Sequence, residues 1–168
     1  MHEFKYKSNE FYCEDVRVSE IAEKAGTPVY IYSYKTLIDH YRKIKDAFRS
    51  INPLICFSMK SNSNLAVLSA LVKEGSGLDI VSGGELYRAM KVGVDPKKIV
   101  YASVGKTYNE IKKAIQAGIL IFNVESLPEL IMINSICRKL GNVRHRMFVS
   151  IRVNPDVEVH THKYITTG

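Results

Sequence analysis

The chain has 168 residues, of which 46% are hydrophobic and 24% are charged. This composition is that of an ordinary soluble globular domain and gives no reason to expect disorder. The formal net charge of +7 invites a nucleic-acid interpretation, but the basic residues are spread along every amphipathic segment. The densest basic cluster, at residues 138–146, contains no interleaved aromatic residues. We therefore expect a solvated helix end and loop there, and no nucleic-acid partner.

Three cysteines, Cys13, Cys56 and Cys137, lie far apart and form no C-x-x-C pair. This spacing argues against a zinc site or a disulfide framework and favours a reducing compartment. The charged amino-terminal segment has no apolar run after it, so we expect no signal peptide. No stretch approaches the ~18 apolar residues of a membrane span. The sequence therefore predicts a cytoplasmic protein without a membrane partner.

The first third of the chain predicts two helices. One lies near Val18–Ala25 and the other runs from about residue 34 to residue 49, with an extended segment at 28–32 between them. After these helices, short apolar runs begin near Leu54, Leu78, Ile99, Leu120 and Phe148. Each of these runs except the last is followed by a segment with helical periodicity. Such alternation is typical of βα units on a parallel sheet.

Two architectures use units of this kind. A doubly wound sheet can close with five strands, whereas an eight-stranded barrel cannot. The short, even spacing of the units favours the barrel. We therefore predict the α/β class, with a (β/α)8 barrel truncated after about five strands, which implies that the chain is not complete.

Side-chain alternation predicts which residues point into the barrel. In the runs at 54–60 and 148–154, large aliphatic residues alternate with small or polar ones. Strand side chains alternate between faces, so the aliphatic sets should pack under the helices and the polar sets should face inward. The predicted inner residues are Cys56, Ser58, Lys60, Asp79, Ser103, Asn123, Glu125, Ser150, Arg152 and Asn154. Polar groups at the carboxyl ends of barrel strands are where such folds keep their chemistry.

Lys60 is the candidate nucleophile because it ends an apolar strand. An amine that forms a Schiff base has to be partly desolvated, and an inward lysine at a strand end has that setting. From position alone, a surface lysine at the start of a loop is the alternative. Asp79 and Arg152 face inward by the same alternation, either as a structural ion pair or as groups that bind a ligand.

Two other motifs favour a structural interpretation. Gly83-Gly84 at a helix start resembles a phosphate cradle, but a tight turn with a capped helix is the favoured explanation. His160 and His162 have a spacing that would suit a metal. No third ligand is evident nearby, so we predict no metal site.

The strand ends together resemble the barrel-type pyridoxal-phosphate-dependent amino-acid decarboxylases. The run Phe57-Ser58-Met59-Lys60-Ser61-Asn62 is similar to the family's cofactor-lysine motif, usually written Y-A-x-K-A-N. Other runs that resemble the family, in the same order, are 26–30, 78–86, 104–107, 122–126, 152–157 and 161–168. The departures are Ser58 and Ser61, where alanine is frequent, and Lys163, where proline is common.

The resemblance implies a function and site residues. Lys60 would carry pyridoxal 5'-phosphate covalently, and Asp79 and Arg152 match positions around the cofactor pocket. Within the family, the residues of these motifs most resemble those of the branch that decarboxylates meso-diaminopimelate to L-lysine. Residues 1–33 would form an amino-terminal segment that belongs with a carboxyl-terminal β-domain, and 34–168 would form the partial pyridoxal-phosphate-binding barrel.

The resemblance also implies parts beyond Gly168. The family's ring-stacking histidine, glycine-rich phosphate loop and acid partner of the pyridine nitrogen lie further along, and its active site is shared across a homodimer. An isolated chain of this length would therefore be inactive. The alternatives are a related decarboxylase acting on ornithine, arginine or carboxynorspermidine, an alanine racemase, or a non-catalytic pyridoxal-phosphate-binding regulator. A five-stranded nucleotide-binding domain is disfavoured because no G-x-G-x-x-G or P-loop run is present.

Overall fold

The computed structural model describes residues 2–141 and 147–155. The amino-terminal part contains a three-stranded antiparallel sheet with the order β1-β2-β3. Its strands are β1 (Phe4–Lys7), β2 (Glu10–Cys13) and β3 (Val16–Arg17). Aromatic side chains pair on it, with the rings of Tyr6 and Phe11 centred 4.8 Å apart. These three strands were not predicted from the sequence.

Both helices expected in this region are present. Helix α1 (Val18–Ala25) has the predicted bounds, and α2 (Tyr34–Ala47) is followed by a 3-10 turn at Arg49–Ile51. Ser33 begins α2 as its N-cap, because its Oγ accepts a hydrogen bond from the backbone N–H of Thr36 at 3.0 Å. Such a cap satisfies an amide that would otherwise have no partner inside the helix.

Residues 2–33 are fastened to the start of α2 by side-chain contacts. One carboxylate oxygen of Glu14 accepts hydrogen bonds from Ser33 Oγ at 2.7 Å and from the backbone N–H of Lys35 at 2.8 Å. Glu3 accepts from Lys35 Nζ at 2.8 Å, and its own backbone N–H donates to Thr36 Oγ1. The boundary that the sequence predicts at residue 33 therefore falls at a junction that is held together by hydrogen bonds.

The rest of the described chain alternates strands and helices. The strands are β4 (Cys56–Ser58), β5 (Gly77–Ile80), β6 (Ile99–Ala102), β7 (Ile121–Val124) and β8 (Phe148–Ile151). The helices between them are α3 (Leu65–Lys73), α4 (Gly83–Lys91), α5 (Tyr108–Ala117) and α6 (Leu127–Leu140). The strands are parallel and lie side by side in the order in which they occur in the chain. In a doubly wound sheet the spatial order of the strands reverses at a switch point. The uninterrupted order β4-β5-β6-β7-β8 therefore confirms the barrel-type arrangement.

The hydrophobic core lies between this sheet and the helices. Its fully buried members include Met59, Leu78, Ile80, Ile99, Tyr101, Ile111, Phe122 and Ile136. Along the central strands β5, β6 and β7 the buried aliphatic or aromatic residues alternate with partly exposed ones. The period-two pattern therefore points one face of the sheet at the helices and leaves the other face open.

The strand register identifies the residues on the open face. Ser58 lies opposite Asp79, and Asn123 lies opposite Ser150. Asn123 also lies opposite Ala102 on its other side. The prediction that Ser103 faces inward was therefore wrong: β6 ends at Ala102, and the alternation puts Ala102 on the inner face. Because residues 99–102 are all apolar or aromatic, their sequence does not show which of them face the inner side of the sheet.

No helix within residues 2–141 and 147–155 is long and apolar enough to cross a membrane. Over those same ranges, no group of three or more histidine, cysteine, aspartate or glutamate side chains is placed to hold a metal ion. His160 and His162 lie outside the described residues.

Candidate active site

The carboxyl ends of β4–β8 form one rim of the parallel sheet, and Lys60 lies on it. The backbone N–H of Met59 donates to the carbonyl oxygen of Asp79 at 2.9 Å, which extends the pairing of β4 and β5 by one residue. Ser61 Oγ then donates to the carbonyl of Ser58 at 2.7 Å and closes a turn around Lys60. Lys60 is exposed. Its amine is therefore open to a ligand, and the described residues do not supply the desolvation expected from the sequence.

Asp79 lies on the strand next to that of Lys60 and is anchored by Ser58. Ser58 Oγ donates to Asp79 Oδ2 at 3.1 Å. The other oxygen, Asp79 Oδ1, is buried and has no hydrogen-bond partner among the described residues. A buried carboxylate oxygen without a donor is costly in free energy. Asp79 therefore presents an acceptor that a bound ligand with a protonated group could satisfy.

Arg152 follows β8 on the same rim. Its backbone N–H donates to the carbonyl of Val124 at 2.9 Å, and its Nη1 lies 3.5 Å from Glu125 Oε2. Its side chain is 52% exposed. Arg152 thus pairs with Glu125 and not with Asp79. The structural ion pair between Asp79 and Arg152, one of the two alternatives that the sequence left open, is not formed. Glu125 Oε1 is buried and has no partner within the described part of the chain.

Gly83-Gly84 forms the start of a capped helix. The Ser82 side chain caps α4 by accepting from the backbone N–H of Glu85, and the backbone N–H of Gly83 donates to Glu110 Oε1 at 2.8 Å. A Cβ at Gly83 would lie 2.9 Å from Glu110 Cγ. The capped helix start is the structural interpretation that the sequence favoured, and the glycine leaves room for the Glu110 side chain in the first turn of α5.

Glu110 links the starts of α4 and α5. Hydrogen bonds from the backbone N–H groups of Thr107 and then Gly83 lower the pKa of its carboxyl group, despite the opposing effect of burial. Thr107 and Glu110 form a capping box at the start of α5, in which each side chain accepts a hydrogen bond from the backbone N–H of the other residue. Two adjacent βα loops are thereby joined at the rim where Asp79 lies.

Lys106 and Glu129 are rim residues that were not predicted from the sequence as part of the site. Lys106 Nζ lies 2.6 Å from Glu129 Oε1, and the lysine side chain is fully buried. A signal for Glu129 was present, since Ser126 and Glu129 repeat the S/T-x-x-E pattern that begins the two preceding helices. No local pattern distinguishes Lys106 from an exposed loop lysine, because its partners come from other elements.

The residues present fit pyridoxal phosphate. A covalent carrier needs an accessible amine at the site, and Lys60 provides it. The unpartnered oxygen of Asp79 is suited to a protonated ring or amine, and the guanidinium of Arg152 is suited to an anionic oxygen. All three groups lie on one rim of a parallel sheet, where barrels place catalytic residues.

Comparison with known proteins gives a consistent result. Diaminopimelate decarboxylase of Haemophilus influenzae is 47% identical over all 168 residues. The crystal structure of diaminopimelate decarboxylase from M. jannaschii in complex with L-lysine is 38% identical, with a TM-score of 0.88 over 98% of this chain and 39% of that one. The Helicobacter pylori enzyme complexed with L-lysine is 41% identical, with a TM-score of 0.81 over 88% of this chain and 36% of that one.

The chain spans about 40% of the length of the curated relatives that it matches. A family model described as "Pyridoxal-dependent decarboxylase, pyridoxal binding domain" matches residues 34–168. This match covers most of the chain, including every βα unit of the parallel sheet. The chain therefore belongs to the pyridoxal-dependent decarboxylases, whose pyridoxal-binding domain it carries, and its cofactor is pyridoxal phosphate.

Proposed function

We propose that the whole protein decarboxylates meso-diaminopimelate to L-lysine in lysine biosynthesis. Support comes from relatives named diaminopimelate decarboxylase that are 43–47% identical and from related structures complexed with L-lysine. The observation that carries the proposal is the exposed amine of Lys60 on the rim beside the Ser58–Asp79 pair. The isolated chain is proposed to be inactive.

Lys60 is the residue that we assign to cofactor attachment. Its position after β4 fixes the backbone, since Met59 is fully buried and hydrogen-bonded to Asp79. The Lys60 side chain is left free to reach a ligand. When bound, pyridoxal phosphate supplies an acceptor for the electron pair that remains after the carboxyl group leaves as carbon dioxide. Lys60 would hold the cofactor before the substrate binds, and its Nζ, once released by the substrate amine, would give or accept a proton.

Asp79 and Arg152 are assigned to cofactor binding. Asp79 holds a negative charge on the inner face, with one oxygen fixed by Ser58 and the other available as an acceptor. Arg152 offers a guanidinium whose orientation Glu125 restricts. Because one group is anionic and the other cationic, together they would orient a ligand that carries both a protonated nitrogen and an anionic oxygen.

Three further assignments belong to the whole protein. We propose a homodimer in the cytoplasm, with residues 1–33 as an amino-terminal segment distinct from the barrel that begins at residue 34. The free thiols of Cys13, Cys56 and Cys137 are consistent with a reducing compartment. Sedimentation of the whole protein at several concentrations would test the dimer directly.

Substrate turnover by the whole protein tests the proposed activity. Carbon dioxide release is measured with meso-diaminopimelate, ornithine, arginine or carboxynorspermidine as the single substrate, with pyridoxal phosphate added. We expect turnover of meso-diaminopimelate with L-lysine as the product. Lys60→Ala should abolish it, whereas Lys24→Ala, at an exposed position on α1, should not. Preferential turnover of another amino acid would assign the protein to a sibling activity, and no turnover with bound cofactor would favour a regulator.

A further inference from the structure

Lys106 has an unusual environment for a lysine. It lies in the loop between β6 and α5, and its side chain is fully buried. Nζ donates to the carbonyl oxygens of Ser103 at 2.8 Å and Asn123 at 2.7 Å, and to Glu129 Oε1 at 2.6 Å. An ammonium group has three N–H donors, so this arrangement uses all of them. Of the three partners, Ser103 follows β6, Asn123 lies in β7 and Glu129 lies in α6.

Glu129 extends these contacts to the end of β7. Its second oxygen, Oε2, accepts a hydrogen bond from the backbone N–H of Glu125 at 2.9 Å. Its own backbone N–H donates to Ser126 Oγ, the N-cap of α6. Both carboxylate oxygens of Glu129 therefore accept hydrogen bonds. The end of β7 is held at two points, since Lys106 binds the carbonyl oxygen of Asn123 and Glu129 binds the backbone N–H of Glu125.

Stability alone does not explain a buried ion pair of this kind. The desolvation of two charges offsets most of their attraction, and apolar replacements of similar volume are often neutral or stabilising. What the pair does provide is geometry, because backbone groups from separate elements are fixed around one ammonium and one carboxylate. The observation therefore points to a role in positioning.

The group that this arrangement positions is Glu125. The Glu125 carboxylate lies 3.5 Å from Arg152 Nη1, and the Arg152 backbone is bonded to Val124 in the same segment. Arg152 is half exposed, and the pair with Glu125 is its one ionic restraint within the described residues. A shift of the backbone at Glu125 would therefore change the orientation of the guanidinium.

We propose that Lys106 and Glu129 are positioning residues that hold Glu125 against Arg152 and thereby raise the affinity of the site for pyridoxal phosphate. The inference rests on the proposed role of Arg152 in cofactor binding. It adds that the affinity depends on a buried pair that makes no contact with Arg152 itself.

A double-mutant cycle on the whole protein tests this coupling. The dissociation constant for pyridoxal phosphate is measured by fluorescence titration for Lys106→Met, Arg152→Gln and the double variant. We expect each single change to weaken binding roughly tenfold and the double change to weaken it roughly tenfold as well, because coupled residues are not additive. Urea unfolding of each apoprotein is measured in parallel.

Two further variants control for folding and for the loss of any ion pair. Glu129→Gln keeps the size of the side chain and an acceptor for Glu125, so we expect a folded protein with binding weakened about threefold. Glu74→Gln removes the pair between Arg42 and Glu74, whose atoms lie 2.8 Å apart on the surface. That variant should bind the cofactor as the unmodified protein does.

The outcomes separate this inference from the proposed function. If Lys106→Met and Glu129→Gln lower only the unfolding midpoint and leave cofactor affinity unchanged, the positioning role is wrong. It is also wrong if the effects of Lys106→Met and Arg152→Gln multiply to about a hundredfold. Cofactor attachment at Lys60 in the unmodified protein would leave the proposed function standing in both cases.

Discussion

Ser58 Oγ lies 3.1 Å from Asp79 Oδ2, across two neighbouring strands whose register places these residues directly opposite each other. The pair stands beside the turn that contains Lys60, on the open face of the sheet. The hydrogen bond fixes one oxygen of Asp79, while the other is buried without a partner among the described residues. The carboxylate is thus oriented by the protein but incompletely satisfied by it.

Replacing Asp79 with asparagine should weaken cofactor binding by the whole protein. The substitution keeps the size of the side chain but removes the charge that favours a protonated partner. Hydrogen bonds to charged groups contribute about 1.5–3 kcal/mol, so we expect a loss of affinity of roughly ten- to a hundredfold in a titration with pyridoxal phosphate. Asp15→Asn, at an exposed site, is the control. Equal affinities for the two variants would contradict the assignment of Asp79.

Glycine is required at position 77 by close packing. A Cβ there would clash with the carbonyl oxygen of Lys98 and would lie 2.7 Å from Cys56 Sγ. Overpacking of this kind costs about 1–3 kcal/mol, so Gly77→Ala should lower the urea midpoint of the whole protein. Gly105→Ala is the matched control, because its Cβ would meet nothing within 4 Å. Similar midpoints for the two alanine variants would show that Gly77 does not pack this closely against Lys98 and Cys56.

Glu110 should contribute stability that depends on pH. Its pKa is lowered in the folded protein, first by the backbone N–H of Thr107 and then by that of Gly83, from an ordinary value of 4.5. The contribution is therefore complete above that ordinary value and is lost as the pH falls through the lowered folded value. At a pH of about 7, Glu110→Ala should reduce the free energy of unfolding by about 1–3 kcal/mol.

The same variant should differ less from the unmodified protein as the medium becomes acidic. Urea titrations at neutral pH and at successively lower values below 4.5 would measure the difference. Glu110→Gln retains an acceptor and has no carboxyl group to titrate, which makes it the reference. A difference between Glu110→Ala and the unmodified protein that stays constant with pH would contradict the ionic character of these hydrogen bonds.

The succession of strands and helices was predictable from the sequence because each βα unit is encoded locally. Apolar runs of strand length, capping residues such as Thr107 and helical periodicity all act within a few residues. The strands β1 to β3 escaped prediction because they are short and largely exposed. Their signal is an alternation of aromatic and charged residues, as in Phe4–Lys7, without an apolar run.

The site was predictable only in part. Lys60 and Asp79 could be assigned to one rim, since both follow from strand parity and from the resemblance of the surrounding motifs. The pairing of Arg152 with Glu125, and the burial of Lys106 against Glu129, depend on contacts between separate βα units. Nothing in the local sequence specifies which of the several charged residues on the rim form ion pairs with each other.

The most direct test of the central claim is chemical labelling of Lys60. The whole protein is incubated with pyridoxal phosphate, reduced with borohydride and digested for peptide mass mapping, alongside Lys60→Ala and Lys24→Ala. We predict a pyridoxyl group on the peptide containing Lys60, retained in Lys24→Ala and absent in Lys60→Ala. A folded, cofactor-binding protein that carries the label on another lysine, or on none, would contradict the assignment of Lys60.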